Sequence, residues 1–243
     1  MRFIFIIYLL NKIYMSKYIF YHIYCNDNTY SIVSDQITKI LFSGLYDEID
    51  CIYCFLTGEE NYIDQMIDYL LTCGKKFIIE KIGINDQSFE RFTIHKIKNY
   101  ILPDDKFLYI HSKGVSYKDC KYVYDWRTFM EYYLMNKHKK CIELLDIYDT
   151  VGVNLSHNPF MHYAGNFWWC RGSYFLTLPD IKTLMIDSEN QNKQKPHDVH
   201  DPTKFKYTEN YLCMNNPNAY CMNTTSGLYH YTVRYPLNKY VDL

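Results

Sequence analysis

The segment FLYIHSKG, residues 107–114, decides the fold class. Four apolar or aromatic residues run without a break into His111, Ser112, Lys113 and Gly114. An uninterrupted apolar run of this length is typical of a strand that a parallel sheet buries on both faces. The segment therefore predicts a strand in the interior of a sheet, with polar side chains at its carboxyl end.

Strand-length apolar runs of the same kind recur along the chain. They are YIFYHIYC (18–25), IDCIYCFL (49–56), KFIIE (76–80) and TVGVN (150–154). Segments with apolar residues three and four apart separate them: SDQITKILFSG (34–44), NYIDQMIDYLL (61–71) and the stretch from Asp125 to Tyr148. This alternation predicts an α/β fold with a mostly parallel central sheet flanked by helices.

Charge and cysteine content exclude several classes of protein. The formal net charge of −1 supplies no basic field for nucleic acid or for an anionic membrane surface. Nine cysteines, without the compact spacing of a disulfide scaffold, indicate reduced thiols and a cytoplasmic protein. Cys51 and Cys54 form a C-x-x-C pair, but residues three apart in a strand face opposite sides, so core packing is expected.

Two segments, residues 1–14 and residues 188–206, differ in composition from the rest of the chain and are interpreted separately. Residues 1–14 are read as an extension before a single domain that spans residues 15–243. Their apolar run is too short for a stable membrane span, and Met15 is an equally good initiator; a weak signal anchor is the alternative. Residues 188–206 predict a flexible loop that would close as a lid, although HDVHD (197–201) within it mimics a metal site.

Polar residues after the predicted strands form the candidate ligand site, because open parallel sheets bind ligands beyond the carboxyl ends of their strands. Asn26 and Asp27 follow the first strand, and His111, Ser112 and Lys113 follow the central one. The pair Asp104-Asp105 precedes its strand and predicts only a turn after Pro103. Neither G-x-G-x-x-G nor a P-loop pattern occurs, so a lysine at this edge indicates a nucleotide diphosphate bound without a glycine-rich cradle.

A second stretch, HYAGNFWWCRGSYFLTLPD (162–180), combines a small polar bend with large aromatic rings. This combination suits the hydroxyl groups and apolar faces of a sugar, and the alternative is a core strand with its turn. Alternation places Trp168 and Trp169 on opposite sides, so at most one of them lines a site. The candidate acceptor residues are His162, Tyr163, Gly165, Asn166 and Trp168.

The motifs YIHSKGVS, DWRTFMEYY, LLDIYDTVGVN, HYAGNFWW and TEN, with HY before a late proline, resemble a family of glycosyltransferases of large DNA viruses and bacteria. The resemblance extends from Tyr18 to Tyr240. It implies a single GT-A-like (Rossmann-like) domain that moves a sugar from a nucleotide-sugar donor to a hydroxyl of a glycan or protein acceptor. For a viral member it also implies the host cytoplasm.

The sequence departs from this resemblance at the metal site. Many GT-A enzymes hold a divalent cation with D-x-D, whereas here the position reads His111-Ser112-Lys113. Either no metal is used, and Lys113 with Arg127 carries the phosphate charge, or Mn²⁺ or Mg²⁺ is held by His111 and His230. The order of landmarks, with Thr208-Glu209-Asn210 and a late histidine, is similar to glycogenin-like transferases.

The resemblance and the sheet edge together suggest roles for individual side chains. Lys113 and Glu209 are the candidate catalytic residues, with Glu209 as base or as stabiliser of an oxocarbenium-like transition state. Glu90 shares a helical face with Ile94, Ile97 and Ile101, so it is predicted to point inward, as a donor contact or as a buried hydrogen-bond partner.

Two further interpretations stay open at this point, and a third is disfavoured. Asp125 either joins Arg127 in the site or caps a helix. A sugar- or nucleotide-binding protein of the same fold that has lost catalysis is the main functional alternative. A phosphodiesterase or nuclease lacks the clustered carboxylates that two metal ions require.

Overall fold

The computed structural model describes residues 15–84, 90–158, 160–181, 208–226 and 228–241. The N-terminal extension (1–14) and the predicted loop 188–206, with its HDVHD motif, lie outside these residues. The strands are β1 Lys17–Cys25, β2 Cys51–Gly58, β3 Phe77–Ile84, β4 Lys106–His111, β5 Thr150–Gly152, β6 Leu155–Ser156, β7 His162–Tyr163, β8 Trp168–Arg171 and β9 Ala219–Cys221.

Helices connect these strands. The α-helices are α1 Thr29–Phe42, α2 Leu45–Glu48, α3 Glu60–Cys73, α4 Arg91–Ile97, α5 Lys121–Glu131, α6 His138–Leu144, α7 Gly172–Phe175 and α8 Leu228–Tyr231. A π-helical turn, Tyr132–Asn136, joins α5 to α6, and short 3₁₀ turns cover Tyr211–Cys213 and Leu237–Lys239. Within the described ranges, no helix is long and apolar enough to cross a membrane.

The central sheet has seven strands in the order β3-β2-β1-β4-β8-β5-β9, and β6 and β7 form a separate hairpin. Strands β1 to β4 run parallel, β8 is antiparallel to both β4 and β5, and β9 is parallel to β5. The predicted α/β fold with a mostly parallel sheet flanked by helices is therefore confirmed. The FLYIHSKG strand, β4, is the middle strand of the order, as its apolar run predicts.

The hydrophobic core lies on both faces of this sheet. One face packs against α1, α3 and α5, and the other packs against α4 and α7. Trp169 belongs to the first face and Trp168 to the second, which confirms the predicted alternation. All nine cysteines are unpaired thiols; within the C-x-x-C pair Cys54 is a fully buried core residue, as predicted, whereas Cys51 is only partly buried.

Element boundaries differ most from prediction at helix α1, which begins at Thr29 rather than at Ser34. A local hydrogen-bond network starts the helix early: Asn28 N donates to Asn26 Oδ1 (2.9 Å), and Asn26 N donates to Thr29 Oγ1 (2.7 Å). Short polar side chains form such turns readily. The turn holds the end of β1 close to the first residues of α1.

Candidate functional site

The segment after β4 is held in place by its neighbours on both sides. Ser112 N donates to His22 O (3.0 Å), and the Ser112 hydroxyl accepts a hydrogen bond from Tyr24 N (3.0 Å). His111 Nε2 donates to Gly165 O (3.0 Å). Because Ser112 is only 3% exposed and its hydroxyl is engaged, it positions the segment.

Lys113 is the cation at this edge of the sheet. Its Nζ lies 3.7 Å from the centroid of the Trp126 ring, a cation–π contact that fixes the ammonium over the start of α5. Burial lowers the pKa of Lys113, and the charges of Glu90 and Glu209 oppose that shift. The fold thus brings together three residues that the sequence predicts for the site: Lys113, Glu90 and Glu209.

Glu90 points inward, as its helical face predicts. Its Oε2 accepts hydrogen bonds from Tyr109 Oη (2.9 Å) and from Asn166 Nδ2 (2.6 Å), and its Oε1 lies 3.7 Å from His111 Nε2. Asn166 Oδ1 in turn accepts from Trp168 Nε1 (2.8 Å). These contacts favour the buried hydrogen-bond alternative, and they set the carboxylate where its charge acts on Lys113.

Two histidines border the same cluster, and both are neutral near pH 7. Burial, reinforced by the charge of Lys113, lowers the pKa of His111 to about 3 and that of His230 to about 4. The His230 ring lies 4.4 Å from the Trp126 ring, and its Nε2 is within hydrogen-bond distance of Asn154 Nδ2 (3.0 Å) and Thr225 Oγ1 (2.8 Å). His230 thus packs against Trp126, the ring over which the Lys113 ammonium lies.

The Nε2 atoms of His111 and His230, the two candidate cation ligands, are both engaged by groups of the protein. His111 Nε2 carries the proton that it donates to the Gly165 carbonyl, and His230 Nε2 faces the Asn154 amide donor. A cation bound at either Nε2 would have to replace these hydrogen bonds, because a metal ligand needs an unprotonated nitrogen lone pair. Across the part of the chain that the structure describes, no three His, Cys, Asp or Glu side chains come together as a cation site.

Arg127, predicted as a phosphate ligand, lies in the interior, where carboxylates of the protein already pair its charge. The residue is 5% exposed. Its Nη1 donates to Lys113 O (3.1 Å), its Nη2 donates to Asp35 Oδ2 (3.1 Å), and its Nε lies 3.3 Å from Glu131 Oε1. With these groups engaged, the guanidinium positions the backbone of Lys113 from behind.

Asp125 is not a helix cap, so that alternative is wrong. Helix α5 begins at Lys121, and Asp125 lies in its second turn, 2% exposed. Its carboxylate accepts from the Arg234 guanidinium (Nη2 to Oδ1, 2.8 Å) and from Tyr235 N (3.0 Å). It therefore ties the C-terminal segment to α5.

The predicted turn after Pro103 is confirmed, because the Asp105 carboxylate accepts a hydrogen bond from Leu102 N (2.7 Å).

Two rings of the predicted acceptor stretch, Tyr163 and Trp168, are core residues and are enclosed. Trp168 is 1% exposed and stacks on Tyr109 with ring centroids 4.8 Å apart. Tyr163 is also 1% exposed, and its hydroxyl bonds to Thr150 Oγ1 and Tyr220 O, both at 3.0 Å. Gly165 and Asn166 are buried in the bend, and His162, half-buried, bonds to Phe160 O (2.8 Å).

The turn after β1 contributes one engaged and one exposed side chain. Asn26 Nδ2 donates to Val115 O (3.2 Å), as does Asn28 Nδ2 at the same distance, so this turn is tied to the segment after β4. Asp27 is exposed beside it. The predicted convergence of the two strand ends is thus present in the structure.

Sequence reasoning missed Trp126 and Asn154 as parts of the cluster, and it missed a neighbouring cleft. The cleft has a volume of about 280 Å³ and lies between the start of α1 and residues 114–127. The only signal for Trp126 was its place beside Arg127 in the DWR motif, and nothing in the sequence relates Asn154 to His230, 76 residues away.

The profile of a protein family described as "Domain of unknown function (DUF8361)" matches residues 20–225. The chain belongs to this family. No curated protein sequence matches this DUF8361 member.

Several solved structures are similar to this chain at low sequence identity. HddC from Yersinia pseudotuberculosis is 14% identical, with 86% of this chain and 91% of that chain covered and a TM-score of 0.44. The 4-diphosphocytidyl-2C-methyl-D-erythritol synthase from Anaerococcus prevotii is 11% identical, with coverage of 86% and 90% and a TM-score of 0.39. The glycosyltransferase GlyE of Streptococcus pneumoniae is 13% identical, with coverage of 86% and 46% and a TM-score of 0.38.

Proposed function

We propose that this DUF8361 protein is a glycosyltransferase, which moves a sugar from a nucleotide-diphosphate sugar to a hydroxyl of a glycan or protein acceptor. The observation that carries the proposal is the environment of Lys113. Its ammonium is fixed over Trp126 at the carboxyl end of the central strand, and burial has lowered its pKa. A desolvated cation gains more from a diphosphate than a fully hydrated one does.

Charge balance around Lys113 supports an anionic ligand. Among the residues that the structure describes, no carboxylate lies within the 4.0 Å ion-pair distance of its ammonium, although Glu90 and Glu209 act on it from further away. The two bordering histidines are neutral. An incoming diphosphate would therefore complete the ionic contacts of Lys113 without displacing an existing partner.

In the proposed reaction, the bond between the anomeric carbon and the diphosphate oxygen breaks, and the acceptor oxygen forms the new bond to that carbon. Negative charge grows on the departing diphosphate, where Lys113 stabilises it. The acceptor proton passes to Glu209, which is exposed at the same edge. Glu90, held by Tyr109 and Asn166, keeps Lys113 charged by its own negative charge.

A second candidate is a sugar- or nucleotide-binding protein without catalysis. The observation in its favour is the departure from D-x-D, because that position reads His111-Ser112-Lys113 and supplies no carboxylate. Such a protein would bind a nucleotide sugar and leave it intact.

Release of nucleotide from purified protein separates these candidates. The full chain is incubated with UDP-, GDP-, ADP- and dTDP-sugars, with and without Mn²⁺, and melting temperature and released nucleoside diphosphate are measured. The transferase proposal expects a rise in melting temperature with at least one donor and slow hydrolysis of that donor. Stabilisation without hydrolysis would favour the binding protein, and neither effect with any donor would contradict both.

A further inference from the structure

A cleft adjoins the segment that carries Lys113, and Gly114 and Arg127 are among its lining residues. It is formed by the first turn of α1, the segment after β4 and the first two turns of α5. Its lining includes Asn28, Ser31, Gly114, Tyr117, Lys121 and Tyr124. Its volume of about 280 Å³ is close to the lower end of small-molecule sites, so it suits one sugar ring better than a complete nucleotide sugar.

Two tyrosines give this cleft an aromatic surface. Tyr117 is 64% exposed and Tyr124 is 49% exposed. The Tyr124 ring is steadied by two cations, with Arg127 Cζ 5.3 Å and Lys39 Nζ 5.8 Å from its centroid. Exposed aromatic rings beside polar groups suit ligands that combine apolar C–H faces with hydroxyls.

The charges in the cleft favour a neutral ligand. Arg127 reaches the lining, but its charge is balanced by Asp35 and Glu131. The lining also includes one residue of each charge, Asp119 and Lys121, and the uncharged polar side chains of Asn28 and Ser31. A diphosphate would meet little net positive charge here, whereas carbohydrate hydroxyls would meet amide and hydroxyl partners.

Gly114 lines the cleft and directly follows Lys113 in the chain. Its φ of 99° lies in the region that favours glycine, and an added Cβ would come within 3.0 Å of Val123 Cγ1. The absence of a side chain leaves that part of the cleft open, one residue away from the proposed catalytic cation. This adjacency relates the cleft to the reaction.

From this geometry we infer that the cleft binds a neutral sugar ring of the acceptor glycan against Tyr117 and Tyr124. Its role as an acceptor site rests on the proposed function, but the binding of a neutral carbohydrate rests on the cleft alone. The cleft offers exposed rings, whereas Tyr163 and Trp168 of the predicted acceptor stretch are enclosed in the core.

Binding of disaccharides in the absence of any donor tests the inference. The full chain is titrated with lactose, maltose, cellobiose, mannobiose and N,N′-diacetylchitobiose, and saturation-transfer NMR measures the dissociation constants. We expect at least one disaccharide to bind and Tyr117→Ala to weaken that binding at least tenfold. The matched control is Tyr30→Ala, because Tyr30 is 60% exposed on α1, packs on Tyr69 and does not line the cleft.

The results separate this inference from the transferase proposal. Failure of every disaccharide to bind, or equal binding by Tyr117→Ala and the wild type, would overturn the inference. It would also be overturned if Tyr117→Ala lost nucleotide binding and kept disaccharide binding. If the disaccharide binds through Tyr117 but no nucleotide sugar is hydrolysed, the cleft is a carbohydrate site and the transferase proposal fails.

Discussion

Two ionic clusters flank the backbone of Lys113, and they differ in how completely their charges are paired. Behind the segment, Arg127 and Lys39 meet Asp35 and Glu131 in a network of two cations and two carboxylates. In front of it, the Lys113 ammonium contacts an aromatic ring and feels its carboxylates only at longer range. A cation with paired neighbours stabilises the fold, whereas one without them is available to a ligand.

The largest expected effect breaks the paired cluster. Glu131 is fully buried and is paired with two cations, Arg127 and Lys39. Arg127→Ala removes one of them, so that Lys39 alone balances the negative charge of Glu131. We expect the free energy of unfolding to fall by about 3 kcal/mol, as for other broken buried pairs. Urea denaturation followed by circular dichroism measures it.

An exposed pair provides the control for Arg127. Lys140 and Glu143 lie 3.6 Å apart at the surface, and Lys140→Ala should cost less than about 1 kcal/mol. Equal losses of stability in Arg127→Ala and Lys140→Ala would show that the network behind Lys113 is not a stabilising element.

The second effect removes the unpaired cation. Lys113→Ala should lower the turnover of a donor about a hundredfold, equivalent to about 2.7 kcal/mol of transition-state stabilisation. Its free energy of unfolding should change by less than about 1 kcal/mol, because a partly buried cation–π contact is all that the fold loses.

Lys137→Ala is the matched control for Lys113→Ala. The Lys137 ammonium also lies over an aromatic ring, 5.2 Å from the Tyr132 centroid, but at the exposed start of α6. The control should keep wild-type turnover. Normal turnover by Lys113→Ala would remove Lys113 from the proposed mechanism.

The third effect concerns the two neutral histidines beside Lys113, His111 and His230. Below pH 6.5 the unfolded chain protonates its histidines, whereas folded His111 and His230, with pKa values of about 3 and 4, stay neutral. Stability is therefore full above pH 6.5 and falls as the pH drops. Between pH 7.5 and 5 we expect a loss of about 2 kcal/mol for each ring.

Urea midpoints at pH 7.5, 6 and 5 measure this loss. His111→Asn removes one of the two rings, so the fall in stability between pH 7.5 and 5 should be shallower than in the wild type. An unchanged slope would mean that His111 accepts a proton in the folded protein.

The smallest expected effect changes the pKa of Lys113 and keeps the lysine itself. Glu90→Gln keeps an oxygen that accepts from Tyr109 and Asn166, so the free energy of unfolding should change by less than about 1 kcal/mol. It removes a charge that raises the pKa of Lys113. The alkaline limit of the pH–rate profile should therefore move to lower pH, and an unshifted limit would contradict the electrostatic role of Glu90.

The fold could be predicted where the signal lies within one segment. The five predicted strands, the interior position of β4 and the opposite faces of Trp168 and Trp169 all follow from apolar runs and side-chain alternation. The antiparallel strand β8 was harder, because its aromatic residues suit either an exposed wall or a core strand. Its position between β4 and β5 in the sheet shows that it is a core strand.

The candidate site was predictable in part. The convergence of Glu90, His111 and Lys113 follows from their places at strand and helix ends. Arg127 shows the limit, because the same guanidinium suits a phosphate or a buried carboxylate. Its pairing with Asp35 joins residues 92 apart, and no local pattern records such a contact.

The sequence by itself determined the alternation of strands and helices, the central strand and the edge at which polar residues gather. Only the tertiary structure decided that Trp168 is a core residue, that Arg127 is neutralised and that Lys113 lies over Trp126 beside His230. The physical reason is that periodicity depends on the local geometry of the backbone. Burial and the partner of each charge depend on distant segments that meet only in the folded chain.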